Sequence, residues 1–234
     1  MKYFMKCFEK ISCYLVKYIL KEQVQVPKKL WAGTTYGGFY IFPLKSLKNG
    51  IVFSFGIGED ISFDRRLIEL FDQIVVYGFD PTPKSCKWVE DNCKDLNNFK
   101  FFPYGIAIHN GVQNFYLPNN PRHVSGSLVK NVNTGRKIQV DFKNIRFIMN
   151  ETGIKKVDIL KLDIEGAELD IIPDILKSGF ECTQFCVEIH YRFWKKHKYF
   201  KLYRLRKMLN RYGYYIAAVS QTYEEVTFVK REKK

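Results

Sequence analysis

Residues 157–168 read VDILKLDIEGAE, and no other stretch of the chain narrows its fold as far. An apolar run with β-branched residues stops at three acids around one glycine. A run of that kind makes a strand buried on both faces, which belongs to a parallel sheet covered by helices on either side. In such a sheet ligands sit outside the carboxyl ends of the strands, so Asp163, Glu165 and Glu168 mark a candidate crevice. Glu165 and Glu168 also favour a helix start through its dipole, and for Glu168 that reading suffices. Asp163 has no propensity reason to stand inside a strand ending, so it points to chemistry.

A chain of 234 residues with 46% hydrophobic side chains can bury one large core, and α/β folds of this length are commonly single domains. The expected division is an N-terminal extension of helix and hairpin over 1–50, then one catalytic domain over 51–234. The formal net charge of +14 favours anionic partners, whether phosphate, nucleic acid or an acidic membrane surface. None of the six cysteines has the two-residue spacing of a zinc knuckle or redox motif, so reduced thiols in a cytoplasm are expected. Lys6, Glu9, Lys10 and Lys17 interrupt the N-terminal apolar residues, which argues against a signal peptide or membrane span. Phe4, Phe8, Ile11, Leu15 and Tyr18 form a helical stripe, expected to pack on the domain's own core. The alternatives are peripheral contact with an anionic membrane or pairing with a second copy.

After Pro27, residues 31–43 alternate aromatics with glycines as a short hairpin, and an α/β alternation follows. It runs as a strand over 51–55, a glycine turn to Asp60, a helix through Phe71, a strand over 74–79 and a helix over 84–92 anchored by Trp88. A third strand region covers 99–104 and 106–108, and Asn110-Gly111 turns the chain into a strand over 112–117. Residues 118–136, rich in Asn, Ser and Gly, are the longest polar stretch and a lid candidate. A helix over 142–151 capped by Gly153 precedes the strand at Val157. A helix over 167–177, bent or broken near Pro173, a strand over 185–189, a helix over 200–211 and closing strands at 214–219 and 226–230 complete the chain.

The turn after the first strand of that alternation reads Ser54-Phe55-Gly56-Ile57-Gly58-Glu59-Asp60. Two glycines one apart let the backbone pass close beneath a ligand at a helix mouth. Ile61 stands where a dinucleotide fingerprint has its third glycine, which counts against a cofactor resting a pyrophosphate there. Asp80 lies 22 residues after Gly58 at the end of the next strand, where a carboxylate can accept both hydroxyls of a ribose. A nucleoside cofactor without a pyrophosphate points to S-adenosylmethionine.

The segments SFGIGEDISFD at 54–64, GFDPTPKS at 78–85 and DILKLDIEGAE at 158–168 together resemble FkbM-type methyltransferases, over most of the chain from about residue 33. The resemblance implies a Rossmann-like α/β fold with a mostly parallel seven-stranded sheet and helices on both faces. It also implies S-adenosylmethionine-dependent O-methylation, often of sugars in glycans. Carried over by position, Phe55, Gly56, Gly58 and Glu59 line the methionine end of the cofactor. Asp80 and Pro81 take the ribose and adenine, Ile106 and Ala107 the far side of the adenine, and Asp163 and Glu165 face the methyl. Ser54 departs from the wider pattern, in which an acid precedes the glycines, so Glu59 or Asp60 is expected to meet the amino group.

Methyl transfer needs alignment and removal of the acceptor's proton, for which Asp163, Glu165 and His190 are the candidates. His190 ends the strand VEIH, expected beside the opening stretch, and its rival role is a polar cap. Asp163, Glu165, Glu188 and His190 could also ligate a divalent metal, a less favoured reading because no spacing rule compels it. Residues 192–211 hold nine Lys or Arg and no acid, interleaved with aromatics. They suit a phosphate-bearing acceptor or RNA, or simply a helix with Leu202, Leu205 and Leu209 inward and a solvated basic face. The expected function is methyl transfer to a hydroxyl, on a sugar of a glycan or glycan precursor. An RNA-directed methyltransferase, a nicotinamide-dependent oxidoreductase and a non-catalytic binding module are the alternatives.

Overall fold

The computed structural model describes residues 14–120, 126–128, 136–191 and 197–231, the side chains of 45, 197 and 198 excepted. Helix α1 covers 14–19, and β1 (Leu30–Ala32) pairs with β2 (Phe39–Ile41) as an antiparallel hairpin. The alternation then runs β3 (Ile51–Phe55), α2 (Ser62–Leu70), β4 (Val75–Phe79), α3 (Pro83–Asn92) and β5 (Phe99–Phe102). Three strands stand apart as a side sheet, namely β6 (Gly105–Ile106), β7 (Gly111–Leu117) and β8 (Arg136–Lys143). After α4 (Ile145–Thr152) come β9 (Lys156–Leu162), α5 (Glu168–Ser178), β10 (Glu181–Glu188), α6 (His197–Arg211), β11 (Tyr214–Val219) and β12 (Glu225–Lys230).

The main sheet has seven strands in the spatial order β5-β4-β3-β9-β10-β12-β11, and β12 alone runs antiparallel. Successive strands step one way from β3 and the other way from β9. A crevice therefore opens beyond the carboxyl ends of β3 and β9, where the order reverses.

Alternate residues of each strand serve opposite layers. Val52 and Ile159 meet Phe63 and Leu67 of α2 together with Phe39 and Ile41 of the hairpin. Phe53, Leu160 and Leu162 meet Ile148 of α4, Ile172 and Ile175 of α5 and Leu202, Leu205 and Leu209 of α6. Each such side chain, fully buried, stabilises the fold by about 1.5–3 kcal/mol, so the layers rather than local propensity hold the helices in place.

Several sequence expectations need correction. Residues 136–143 are a strand paired with β7, and the helix expected from Phe142 starts at Ile145, with Asn144 Oδ1 accepting from the Phe147 N–H at 2.9 Å. Lys137, Gln139 and Asp141 alternate with Ile138, Val140 and Phe142, a period of two hidden at the end of a polar stretch. Helix α5 is not broken at Pro173 but continues to Ser178. Val89 is the buried anchor of α3, with Trp88 only packed against its cluster. In α1 and the turn that follows it the core takes Val16, Ile19 and Leu20, whereas Leu15 and Tyr18 of the expected stripe face solvent. Phe4, Phe8 and Ile11 lie outside the described residues. No helix among the described residues is long and apolar enough to cross a membrane.

Candidate active site

A cleft of about 340 Å³ occupies the crevice, and its walls come from the glycine turn, the ends of β4, β9 and β10, the side sheet and the hairpin turn. Gly56, with φ 82°, lies so close to β9 that a Cβ there would stand 1.7 Å from the Asp163 carbonyl oxygen. Only glycine tolerates both conditions. Asp80 Oδ2 accepts from the Gly58 N–H at 2.9 Å and Oδ1 from the Thr82 N–H at 2.8 Å, which fixes the carboxylate at the cleft wall. Burial pushes the Asp80 pKa up against the pull of those two bonds. Asp60 joins the turn to the hairpin, accepting from the Ser62 N–H at 2.7 Å and the Thr34 hydroxyl at 3.1 Å. Glu59 pairs with Lys84 at 2.9 Å.

The opposite wall is built on the turn after β9. Glu165 has φ 54°, a left-handed conformation unusual for its residue type, and its carbonyl accepts from the Ser127 hydroxyl at 2.6 Å. Glu168 opens α5, yet its fully buried side chain turns back, and Oε1 accepts from the N–H groups of Ile164 at 3.3 Å and Gly166 at 3.1 Å. The same oxygen lies 2.9 Å from His190 Nδ1. His190 Nε2 faces Glu165 Oε2 at 3.2 Å, Glu188 Oε1 at 3.5 Å and Asp163 Oδ1 at 3.8 Å. Burial alone would lower the imidazole pKa, but the carboxylates, Glu168 first, hold it well above its ordinary value. Burial and then the neighbouring Asp163 raise the Glu188 carboxyl.

Lys161 joins the two walls. From inside the buried strand β9 its Nζ donates to the Gly56 carbonyl at 2.9 Å and stands 3.5 Å from Asp163 Oδ2. Burial pulls its pKa down, and Asp163, Asp64 and Glu188 outweigh that pull, so it stays a cation.

Phe55, Gly56, Gly58, Glu59, Asp60, Asp80, Pro81, Ile106, Asp163 and Glu165 all line this cleft, as does Glu188. Ala107 does not; it packs with Phe115 and Phe142 of the side sheet. His190 lies behind the lining carboxylates rather than on the cleft surface. Lys161 was not singled out from the sequence, although a lysine inside an otherwise apolar strand was a usable signal, and Glu168, assigned there to the helix start, also meets His190. Of the lid candidate, Gly126 and Leu128 line the cleft, while 121–125 and 129–135 lie outside the described residues. None of residues 199–211 lines it. Leu202, Leu205 and Leu209 face the core, Arg204 stacks on Phe200, and Arg206 and Lys207 stack on Tyr203. Residues 192–196 lie outside the described residues.

Fold and cleft together define a Rossmann-like α/β domain whose candidate site lies where the strand order reverses. More narrowly, the model of the methyltransferase FkbM domain matches residues 56–216, and the chain belongs to that family. It is similar to the 2-O-methyltransferase NoeI of Sinorhizobium fredii (strain NBRC 101917 / NGR234), at 26% identity over 145 residues. That match covers 54% of this chain and 60% of NoeI, less than two thirds of the relative's length. Among solved structures, the fibrillarin pre-rRNA processing protein of Methanococcus jannaschii superposes with a TM-score of 0.52 at 12% identity, covering 92% of this chain and 85% of that one. This second likeness is one of fold alone.

Proposed function

We propose that the chain transfers the methyl group of S-adenosylmethionine to a hydroxyl oxygen, on a sugar of a glycan or glycan precursor. One observation carries the reading: a single cleft has the glycine turn and Asp80 at one end and the carboxylates of Asp163 and Glu165 at the other. The description of NoeI as a 2-O-methyltransferase supports oxygen as the acceptor. Gly56 and Gly58 let the donor's methionine end pass along the backbone, with Glu59 and Asp60 beside it. Asp80 and Pro81 take its ribose and adenine, and Ile106 closes on the base. The acceptor oxygen attacks the methyl carbon, the carbon–sulfur bond breaks, and the sulfonium leaves as a neutral thioether. Alignment and loss of the hydroxyl proton are what remains for the protein to promote. Glu165, on the cleft wall, is the group we assign to the acceptor hydroxyl, and Glu168 orients His190 behind it.

The test is methyl-labelled donor incubated with the full chain and a panel of sugars, sugar nucleotides, glycan oligomers and RNA. Label on a sugar hydroxyl is the expected result. Label only in RNA, in a salt-sensitive manner, would replace the acceptor assignment.

A further inference from the structure

We propose that Asp163, Glu165 and His190, with Glu188 beside them, seat a divalent transition cation such as Mn2+, placed to hold the acceptor hydroxyl next to the methyl. The ligating atoms of the first three lie within 4.8 Å of one another. Oxygens of Glu165, Glu188 and Asp163 face Nε2 of His190 at 3.2, 3.5 and 3.8 Å. An octahedral ion with bonds of about 2.1 Å separates neighbouring ligand atoms by about 3 Å, so sub-ångström adjustments complete the seat.

A single N–H on Nε2 cannot serve three oxygens, whereas one cation, taking the place of that proton as it is released to solvent, can. Imidazole nitrogen with carboxylate oxygens is also a fitting donor set for such an ion. The other ring nitrogen adds an independent sign. Metal-bound histidines commonly direct their second nitrogen at a carboxylate, and here Nδ1 meets Glu168 Oε1 at 2.9 Å. The second oxygen of Glu168 is buried with no hydrogen-bond partner among the described residues. Asp163, Glu165 and Glu188 all line the cleft, so a bound ion would keep an open position toward the acceptor and make a coordinated hydroxyl more acidic. The proton then leaves to solvent water.

A rival seat exists in Glu188, Glu224 and Glu225. It has no imidazole, and Glu225 already accepts from the Thr222 hydroxyl at 2.7 Å.

The inference rests on the hydroxyl-transfer reading for its role but not for its detection. Mn2+ is titrated into chelator-stripped full-length protein and followed by the loss of the free-ion electron paramagnetic resonance signal. One ion per chain is expected, bound at least about tenfold more weakly by Asp163→Asn and Glu165→Gln. Glu225→Gln should bind as the unaltered chain does. No loss of signal, or equal weakening by Glu225→Gln, would overturn the seat. Methyl transfer at full rate in excess EDTA would overturn its role. Should a variant fail to fold, the titration of the unaltered chain and the EDTA assay decide alone. Mn2+ bound with this variant pattern, but no methyl transfer to any hydroxyl, would support the seat and count against the function proposed above.

Discussion

The two ends of the cleft are built by different means. At the end we assign to the donor, shape comes from the backbone: Gly56 and Gly58 adopt left-handed conformations, and Asp80 is fixed by two main-chain N–H groups. At the end we assign to the acceptor, the arrangement comes from charge, with Asp163, Glu165, Glu168 and Glu188 gathered around His190. A backbone-built wall fails when anything is added to it, and a charge-built wall fails when one partner is made neutral. Lys161 and Gly56 join the two, since the Lys161 ammonium holds the Gly56 carbonyl and Gly56 rests against Asp163.

The largest effect should come from that junction. Gly56→Ala drives a Cβ into the Asp163 carbonyl in a left-handed conformation, and a cost above about 4 kcal/mol is expected, with both ends lost together. Thermal unfolding and calorimetry with S-adenosylhomocysteine would read it. Intact donor binding in this variant would mean the two ends are separable. Next in size is Glu165→Gln, expected to lower turnover about 10²- to 10⁴-fold while donor affinity is unchanged. A loss of donor affinity instead would assign Glu165 to the donor end.

The donor end was the more legible in sequence because its elements are local. A glycine turn at one strand's end and an acid at the next strand's end lie within a single β-α-β unit, and the structure brings Gly56, Gly58 and Asp80 to one wall. The strand at Val157 was equally plain, since an apolar run between turn signals is a local property. What escaped depends on distant partners. Strand β8 is a strand because β7 covers it, and Lys161 is tolerable in β9 because Asp64 and Asp163 supply counter-charge. Glu168 reads as an ordinary first-turn acid until His190, from the next strand, reaches its carboxylate. In α1 two apolar faces coexist in the sequence, and only the docked helix shows that the face of Val16 and Ile19 is the buried one.

Asp64 tests the junction through pH. It lies buried near Lys161, and burial raises its carboxyl to about 6, with Lys161 opposing. Its stabilising contribution is therefore full below the unfolded value of 3.8 and is lost as pH rises through about 6. Relative to the unaltered chain, Asp64→Asn should gain up to about 3 kcal/mol between pH 4 and pH 7, read by urea unfolding at both. A pH-independent difference would show that burial does not raise the Asp64 carboxyl in the folded chain. Asp80→Asn turns an amide NH2 toward a main-chain N–H, a mismatch of about 1–3 kcal/mol. Donor affinity should fall about ten- to hundredfold with turnover at saturating donor nearly kept. Turnover falling with unchanged affinity would exchange the roles of the two ends.

The smallest effect bears on the difference itself. Glu165 holds a left-handed conformation at a cost of about 1 kcal/mol or somewhat more, and glycine adopts it freely. Glu165→Gly, measured without added divalent ion, should unfold at equal or higher urea concentration than the unaltered chain and transfer no methyl group. Gly56 and Glu165 are then opposite cases: one is a glycine because no side chain fits, the other keeps its side chain although the backbone favours a glycine. A Glu165→Gly chain that is both less stable and inactive would mean that the carboxylate at the acceptor end holds the turn as well as the acceptor. In that event strain would not be the measure of what the site gives up for chemistry.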